Sequence, residues 1–258
     1  MHFSLIPALI PLLTYLSLSA ASPIPARDPT LSRRWPTNAV LSCTQPKTFA
    51  LTFDDGPFDY TESLLSLLAS HNVTASFFIN GNNFGCIYDR ASTLTKILQA
   101  GHLIGSHTWS HIRSDQASAS VMTHQLELIE TAMQKMLGVR PKWFRYPYGA
   151  FSATTDQVVA SRGYRAVSWS SDSGDSLGLT PQQQISGFAS LSSTEPHLTL
   201  SHDVMTAVIP DLLSKGFRLV SVPECVGDRT GFYEQIGGLG TRDASWTCAG
   251  TPGPGQLA

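Results

Sequence analysis

Charge is scarce in this sequence. Only 14% of its 258 residues are Asp, Glu, Lys or Arg, and 17 cations against 19 anions leave a net −2. No long Lys/Arg run occurs, which argues against a nucleic-acid partner, because neutralising phosphates needs clustered cations. Disorder of the whole chain is excluded by the 42% of hydrophobic residues, which supply a core for one large domain or two small ones. The 4 cysteines are too few for a disulfide-scaffold miniprotein, but their number is even. No Gly-rich phosphate loop follows the first strand-like run, which weighs against a nucleotide-binding sheet. Beyond Leu18 no stretch is long and apolar enough to span a bilayer. The tail from Ala249 to Ala258 is rich in Gly and Pro and has no apolar run, so a glycolipid-anchor signal is absent and a flexible tail is expected.

What is present begins with the compartment. Phe3 to Leu18 is uncharged and apolar, interrupted by Pro7 and Pro11, and small residues Ser19-Ala20-Ala21-Ser22 follow. A short apolar run ending in small residues predicts a secretory signal peptide over 1–21, cleaved after Ala21, rather than a membrane anchor, which needs about 20 unbroken residues. Residues 22–36 are Pro-rich and carry the dibasic pair Arg33-Arg34, so 22–42 is expected to be a linker or propeptide. The sequon Asn72-Val73-Thr74 permits glycosylation in a secreted chain. Secretion makes disulfides the expectation for Cys43, Cys86, Cys225 and Cys248, with three pairings open. Cys43 and Cys248 flank the body of the domain, and joining them would clip the termini together. That pairing, leaving Cys86 for Cys225, is expected here.

From Cys43 a rhythm sets in. Strand-like runs at Phe49–Phe53, Ala75–Ile79, His102–Ser106, Lys142–Arg145, Tyr164–Trp169, Leu198–Ser201 and Phe217–Val220 alternate with helical patterns near 60–70, 94–100, 117–137, 153–162, 181–192 and 204–215. In the clearest helix Met122, Leu126, Ile129, Met133, Met136 and Leu137 share one face, and Gly138 ends it. About seven strands alternating with helices predict one α/β domain with parallel strands, an open sheet or a barrel. Polar clusters fall at the C-terminal ends of these strands: Asp54-Asp55, His107, Arg145, Asp172 and Asp175, and His202. That rim is where a β/α barrel builds its site.

Each cluster suggests a role. Adjacent residues on an extended chain point opposite ways, so Asp54 and Asp55 need different partners unless they merely line a solvated turn. His107 and His111 share a face if a helical turn follows the strand, and with one Asp they would make a two-His, one-carboxylate metal site with an open position. The other Asp would be free as a general base. Arg145 can hold a carboxylate by a bidentate pair, unless it is a surface Arg before a turn. His202 can act as a general acid if Asp172 or Asp175 orients it and raises its pKa; the alternative is a structural His bonded to backbone.

In order and spacing, Thr52-Phe53-Asp54-Asp55-Gly56, His107-Thr108-Trp109-Ser110-His111, Arg145-Tyr146-Pro147-Tyr148, Asp172-Ser173-Gly174-Asp175 and Leu200-Ser201-His202 resemble the five motifs of the polysaccharide deacetylases, the NodB-homology domain of carbohydrate esterase family 4. The runs Asn80-Gly81-Asn82-Asn83 and Ser245-Trp246-Thr247-Cys248 are similar to those of secreted fungal chitin deacetylases. The resemblance covers roughly 43–248. It implies a distorted (β/α) barrel, often of fewer than eight strands. It implies that Asp55, His107 and His111 bind a divalent metal, usually zinc, with cobalt or nickel as alternatives. It further implies Asp54 as general base, Arg145 as its tether, His202 as the acid tuned by Asp175, the Tyr148 N–H at the oxyanion, and Leu200 against the acetyl methyl. The implied reaction is removal of N-acetyl groups from chitin or chito-oligosaccharides, releasing acetate. O-acetyl xylan and peptidoglycan remain rival substrates, since they would use the same residues, and a chitin-binding protein without catalysis remains a rival class. One departure stands out. Many members continue the fourth motif as Asp-Trp, whereas Ser176 follows Asp175, so a pocket wall is lost, and Trp109 or Trp169 is expected to cover the gap. The chain is expected to be a secreted monomer without a membrane anchor.

Overall fold

The computed structural model describes Pro36, residues 39–203 and residues 205–257. The expected signal peptide over 1–21, and the expected linker or propeptide apart from Pro36 and 39–42, lie outside the described residues. Eleven strands and seven α-helices follow in chain order among the described residues: β1 (Thr48–Ala50), β2 (Thr52–Asp54), α1 (Thr61–Ser70), β3 (Ser76–Ile79), α2 (Ala91–Gln99), β4 (Leu103–Ser106), α3 (Ala119–Leu137), β5 (Val139–Pro141), β6 (Trp143–Phe144), α4 (Ala153–Ser161), β7 (Arg165–Ala166), β8 (Ser171–Asp172), α5 (Pro181–Phe188), β9 (His197–Leu200), α6 (Val208–Ser214), β10 (Arg218–Val220), α7 (Val222–Cys225) and β11 (Tyr233–Gln235). Among the described residues no helix is long and apolar enough to cross a membrane.

The helices start and stop where local chemistry says they should. Ser118 caps α3 by accepting from the Val121 N–H, and Gly138 ends it at φ 69, which costs glycine no Cβ clash. Ser152 with Thr155 and Thr180 with Gln183 form capping boxes on α4 and α5, and Pro181 enters α5 in its first turn.

Parallel strands form a five-stranded sheet, β2-β3-β4-β6-β7, and a four-stranded sheet, β10-β1-β9-β8. This is the expected parallel α/β domain. Its strands fall into two sheets rather than one uninterrupted ring: the expected strand Phe49–Phe53 is broken in the middle, and the chain just beyond the expected strand Tyr164–Trp169 adds a short strand to the second sheet. β1 and β2 are one run interrupted at Leu51; the first half pairs with β9 and β10, the second with β3. The Asp54 N–H still reaches Ser201 O at 2.9 Å, joining the sheets beside β9. Likewise the 165–172 segment pairs with β6 through β7 and with β9 through β8.

Aromatic and aliphatic side chains fill the interior. Phe49, Phe53, Phe77, Leu64, Leu68, Leu94, Ile97, Ile129 and Met133 are buried in one cluster that joins the strands to α1, α2 and α3. On β4 the space between strands leaves no room for a side chain at Gly105, where a Cβ would lie 2.6 Å from Phe78 and 3.0 Å from the Trp143 carbonyl.

Two features depart from expectation. The disulfides are Cys43–Cys225 and Cys86–Cys248, not Cys43–Cys248 and Cys86–Cys225. Cys43 precedes β1 and Cys225 ends α7 after β10, and β1 pairs with β10, so sheet register brings these two together. The chain beyond 227 is not a clip to the N-terminal side. It makes β11, antiparallel to β5, and then crosses to the loop after β3. The segment 249–257 is accordingly tied down rather than free, with Asn82 Nδ2 donating to Pro252 O at 3.1 Å and Gly255 N–H to Ser110 O at 2.6 Å.

Candidate active site

Strand ends and the turns after them bring the polar clusters to one rim. β2 ends at Asp54, and the chain turns at once, with Asp55 at φ 71. That turn sends the two carboxylates to different partners, as expected. Asp54 is buried, and Arg145 Nη1 donates to its Oδ1 at 2.9 Å. Arg145 follows β6 and is itself fully buried. Its Nη2 donates to Ser168 O at 2.8 Å, Nη1 also donates to Thr52 Oγ1, and its guanidinium lies 4.4 Å from the Phe78 ring centre. It is therefore an interior tether and not a surface Arg. Burial pushes the Asp54 carboxyl up from its ordinary value, while the Arg145 charge pulls it back.

Asp55 faces three imidazoles. Its Oδ1 lies 3.2 Å from His111 Nε2 and 3.6 Å from His107 Nε2, and its Oδ2 lies 3.6 Å from His202 Nε2. The ligand atoms of Asp55, His107 and His111 lie within 4.8 Å of one another. His107 and His111 are not on a helical turn, as the spacing suggested. Thr108 at φ 66 and His111 at φ 52 fold the loop tightly, and the left-handed turns aim both Nε2 atoms at Asp55.

The donor set fits a divalent cation. The buried Asp55 Oδ1 has no hydrogen-bond partner. Burial, and then the Asp54 charge, push the Asp55 carboxyl up to about 7, and a cation beside it would favour its charged form. Burial lowers His107 and His111 to about 3, so both imidazoles are neutral and keep a lone pair to donate. The His107 Nδ1–H donates to Arg145 O at 2.8 Å, and His111 Nδ1 pairs with the Tyr148 hydroxyl at 3.1 Å. The His107 bond fixes its tautomer with Nε2 free for a metal.

On the other flank, Asp175 and not Asp172 orients His202. The His202 N–H donates to Asp175 Oδ2 at 2.7 Å, and its Nδ1 lies 2.8 Å from Asp175 Oδ1. Asp172 instead accepts from the Gly174 N–H and shapes the turn. Burial lowers the His202 pKa, but the Asp175 hydrogen bond and charge, with Asp54 and Asp55 behind them, outweigh it and raise it to about 9.

The groove has two lobes that meet at Ser176 and His202. One, of about 220 Å³, is lined by His107, His111, Tyr148, Trp169 and Leu200. The other, of about 310 Å³, is lined by Phe58, Tyr60, Phe84 and Asp203. Trp169 and Ser176 both line the first lobe. Trp109 does not. It is buried against Tyr88 and Gly81, with its Nε1 donating to Thr251 Oγ1 at 3.0 Å, so its expected place at the substrate is corrected. Sequence reasoning missed the aromatics of the second lobe, because Phe58, Tyr60 and Phe84 lie in loops outside the motifs. It named Asn80 only as part of a run and gave it no role; the Asn80 side-chain amide donates to His107 O and Thr108 O at 2.5 and 3.0 Å.

A parallel α/β rim with a carboxylate–imidazole cluster, a tethered buried carboxylate and a carboxylate-oriented imidazole defines a metal-assisted hydrolase. Residues 42–167 match the family described as polysaccharide deacetylase. A chitin deacetylase of Pestalotiopsis sp is 36% identical over 231 residues, spanning 85% of this chain and 76% of that protein. One from Colletotrichum lindemuthianum is 32% identical over 245 residues, spanning 88% and 97%. The solved structure of the chitin deacetylase from that fungal pathogen matches with a TM-score of 0.72 at 32% identity, covering 76% of this chain and 95% of that one. The chain belongs to the polysaccharide deacetylase family.

Proposed function

We propose that this chain is a secreted enzyme that hydrolyses the N-acetyl groups of chitin or chito-oligosaccharides, leaving glucosamine units and releasing acetate. One observation carries the reading: the cluster of Asp55, His107 and His111 lies between the tethered Asp54 and the Asp175-oriented His202, within a single groove. The sequence similarity to two fungal chitin deacetylases supports the substrate. The two disulfides are in keeping with an oxidising compartment.

Asp55, His107 and His111 would hold the metal, with zinc the best match to two neutral imidazoles and one carboxylate. When bound, such a cation lowers the pKa of water to about 7 and polarises the substrate carbonyl. Asp54, kept in place by Arg145, takes the proton of the attacking water. The Tyr148 N–H donates to the oxygen that gains charge as the carbonyl becomes tetrahedral. Leu200 and Trp169 exclude water around the acetyl methyl. His202, charged below about 9, gives its proton to the leaving amine. One proton moves from water to Asp54 and one from His202 to nitrogen, so acetic acid and the free amine leave; the acid gives its proton to solvent to become acetate, and Asp54 returns its proton to His202 through solvent, which restores the starting charges.

The test is acetate release from chito-oligosaccharides and from acetylated xylan, with and without a chelator, for wild type and Asp54→Asn. Release from the chitin substrate is expected, abolished by chelation and reduced about 10²–10⁴-fold by the substitution. Release from xylan alone would move the substrate to an ester. No release from either by metal-loaded protein would overturn the reading.

A further inference from the structure

The loop between the two histidines holds a conformation that its own sequence disfavours. Thr108, a β-branched residue, sits at φ 66, and His111 sits at φ 52. Such residues persist in the left-handed region only when their surroundings over-determine them. Three separate pieces of chain do so here. Asn80 takes the carbonyls of His107 and Thr108, and the N–H groups of Gly81 and Asn82 donate to Trp109 O at 2.8 and 2.7 Å. Gln125 on α3 accepts from the Ser110 N–H at 2.9 Å. The third piece is the C-terminal segment. Thr251 Oγ1 accepts from Trp109 Nε1, the Gly255 N–H donates to Ser110 O at 2.6 Å, and Gln256 O accepts from Ser110 Oγ at 3.0 Å.

That segment is itself anchored. Cys248 is bonded to Cys86, Thr251 Oγ1 donates to Cys248 O at 2.8 Å, and Asn82 Nδ2 donates to Pro252 O. Trp109 is wedged between the two pieces. A Cβ at Gly81 would lie 1.9 Å from its ring, so Gly81 alone lets the indole lie against the loop after β3. The indole then has its N–H at Thr251 and its backbone midway between the two histidines.

We propose that Cys248–Gln256 is a strap that holds the His107–His111 loop in its metal-ligating shape, with Thr251 as the positioning residue that locks Trp109. This rests on the reading of Asp55, His107 and His111 as metal ligands. No residue of the strap lines either lobe of the groove. It acts by fixing the backbone that aims both Nε2 atoms at Asp55, as outer-shell partners of metal ligands do.

The test reads metal affinity on the full chain. Metal-free wild type, Thr251→Val, Thr251→Ser and the pair Cys86→Ser with Cys248→Ser are titrated with Co²⁺, followed by visible absorption, and with Zn²⁺ in competition with a chromophoric chelator. Thr251→Val and the cysteine pair are expected to bind both ions about 10–100-fold more weakly, and Thr251→Ser to bind as wild type does. Thermal unfolding of the metal-free proteins is measured alongside. Wild-type affinity in both weakened candidates would overturn the proposal even if their melting temperatures fell, since the strap would then be a staple of the fold only. A Thr251→Ser protein as weak as Thr251→Val would overturn it too, because the loss would not follow the hydroxyl. A wild type that binds zinc yet releases no acetate would sink the functional reading alone.

Discussion

Asp175 grips His202 at two points, the ring Nδ1 and the backbone N–H, and so controls both its direction and its charge. His202 is three-quarters shielded from water, and burial alone would hold it below its ordinary value; the neighbouring carboxylates reverse this and bring it to about 9. In the proposed mechanism the protonated form is the donor, so activity is expected to persist through neutral pH and fall as pH rises past that value. In Asp175→Asn the carboxylate charge is gone while the burial remains. The His202 pKa then moves down, and the alkaline limb of the kcat profile moves to lower pH with it. At pH 8 the variant is expected to lose about 100-fold in kcat, with part of the loss recovered near pH 6. A variant whose alkaline limb stays in place would show that Asp175 only positions the ring. Arg145 illustrates the same logic for the base, since a Lys cannot reproduce its fork to Asp54, Thr52 and Ser168.

At the scale of an element, the residue just before β4 is another histidine, with a different role. His102 is 3% exposed, and its Nδ1 accepts from the Ala75 N–H at 3.1 Å, which needs the neutral ring. Burial lowers its pKa from 6.5 to about 4. The unfolded chain therefore binds a proton that the folded chain refuses between those values, and stability rises with pH across that window. Full stability is present above about 6.5 and is lost as pH falls toward 4, at about 1.4 kcal/mol per pH unit for this group. His102→Gln keeps an acceptor for Ala75 but does not titrate. Urea unfolding of the chelator-treated proteins at pH 7.5 and 4.5 should show a smaller acid loss in the variant, by about 2 kcal/mol; equal losses would remove His102 from the account. Elements like β4 were legible in the sequence because apolar runs and terminal glycines such as Gly138 follow from local chemistry. The strand breaks at Leu51 and between Ala166 and Ser171 were not, since they depend on which neighbour each half pairs with. The five motifs named Asp55, His107 and His111, which the structure brings together. They did not reveal that Thr108 and His111 turn left-handed, or that Trp109 faces inward, because both depend on chain from the far C-terminus.

At the scale of the whole molecule, the same blind spot explains the disulfides. Proximity along the sequence suggested that Cys43 and Cys248 join the termini, whereas sheet order puts Cys43 beside Cys225, and the excursion through β11 carries Cys248 to Cys86. The two bonds span 182 and 162 residues. By loop-closure entropy this difference amounts to about 0.1 kcal/mol, so the bonds restrict the unfolded chain almost equally. Their surroundings are nevertheless unlike. One ties the chain just before β1 to α7; the other ties the strap to the loop whose Asn80 bonds the His107 and Thr108 carbonyls. Replacing either pair by Ser is expected to cost about 2–5 kcal/mol in unfolding free energy, with the two costs matching within about 1 kcal/mol. Metal affinity should separate them, falling in Cys86→Ser with Cys248→Ser and staying at the wild-type value in Cys43→Ser with Cys225→Ser. Equal losses of affinity in both would mean that the site responds to global stability and not to its own strap, and unequal stability costs would mean that native-state contacts, rather than chain entropy, set the strength of these bonds.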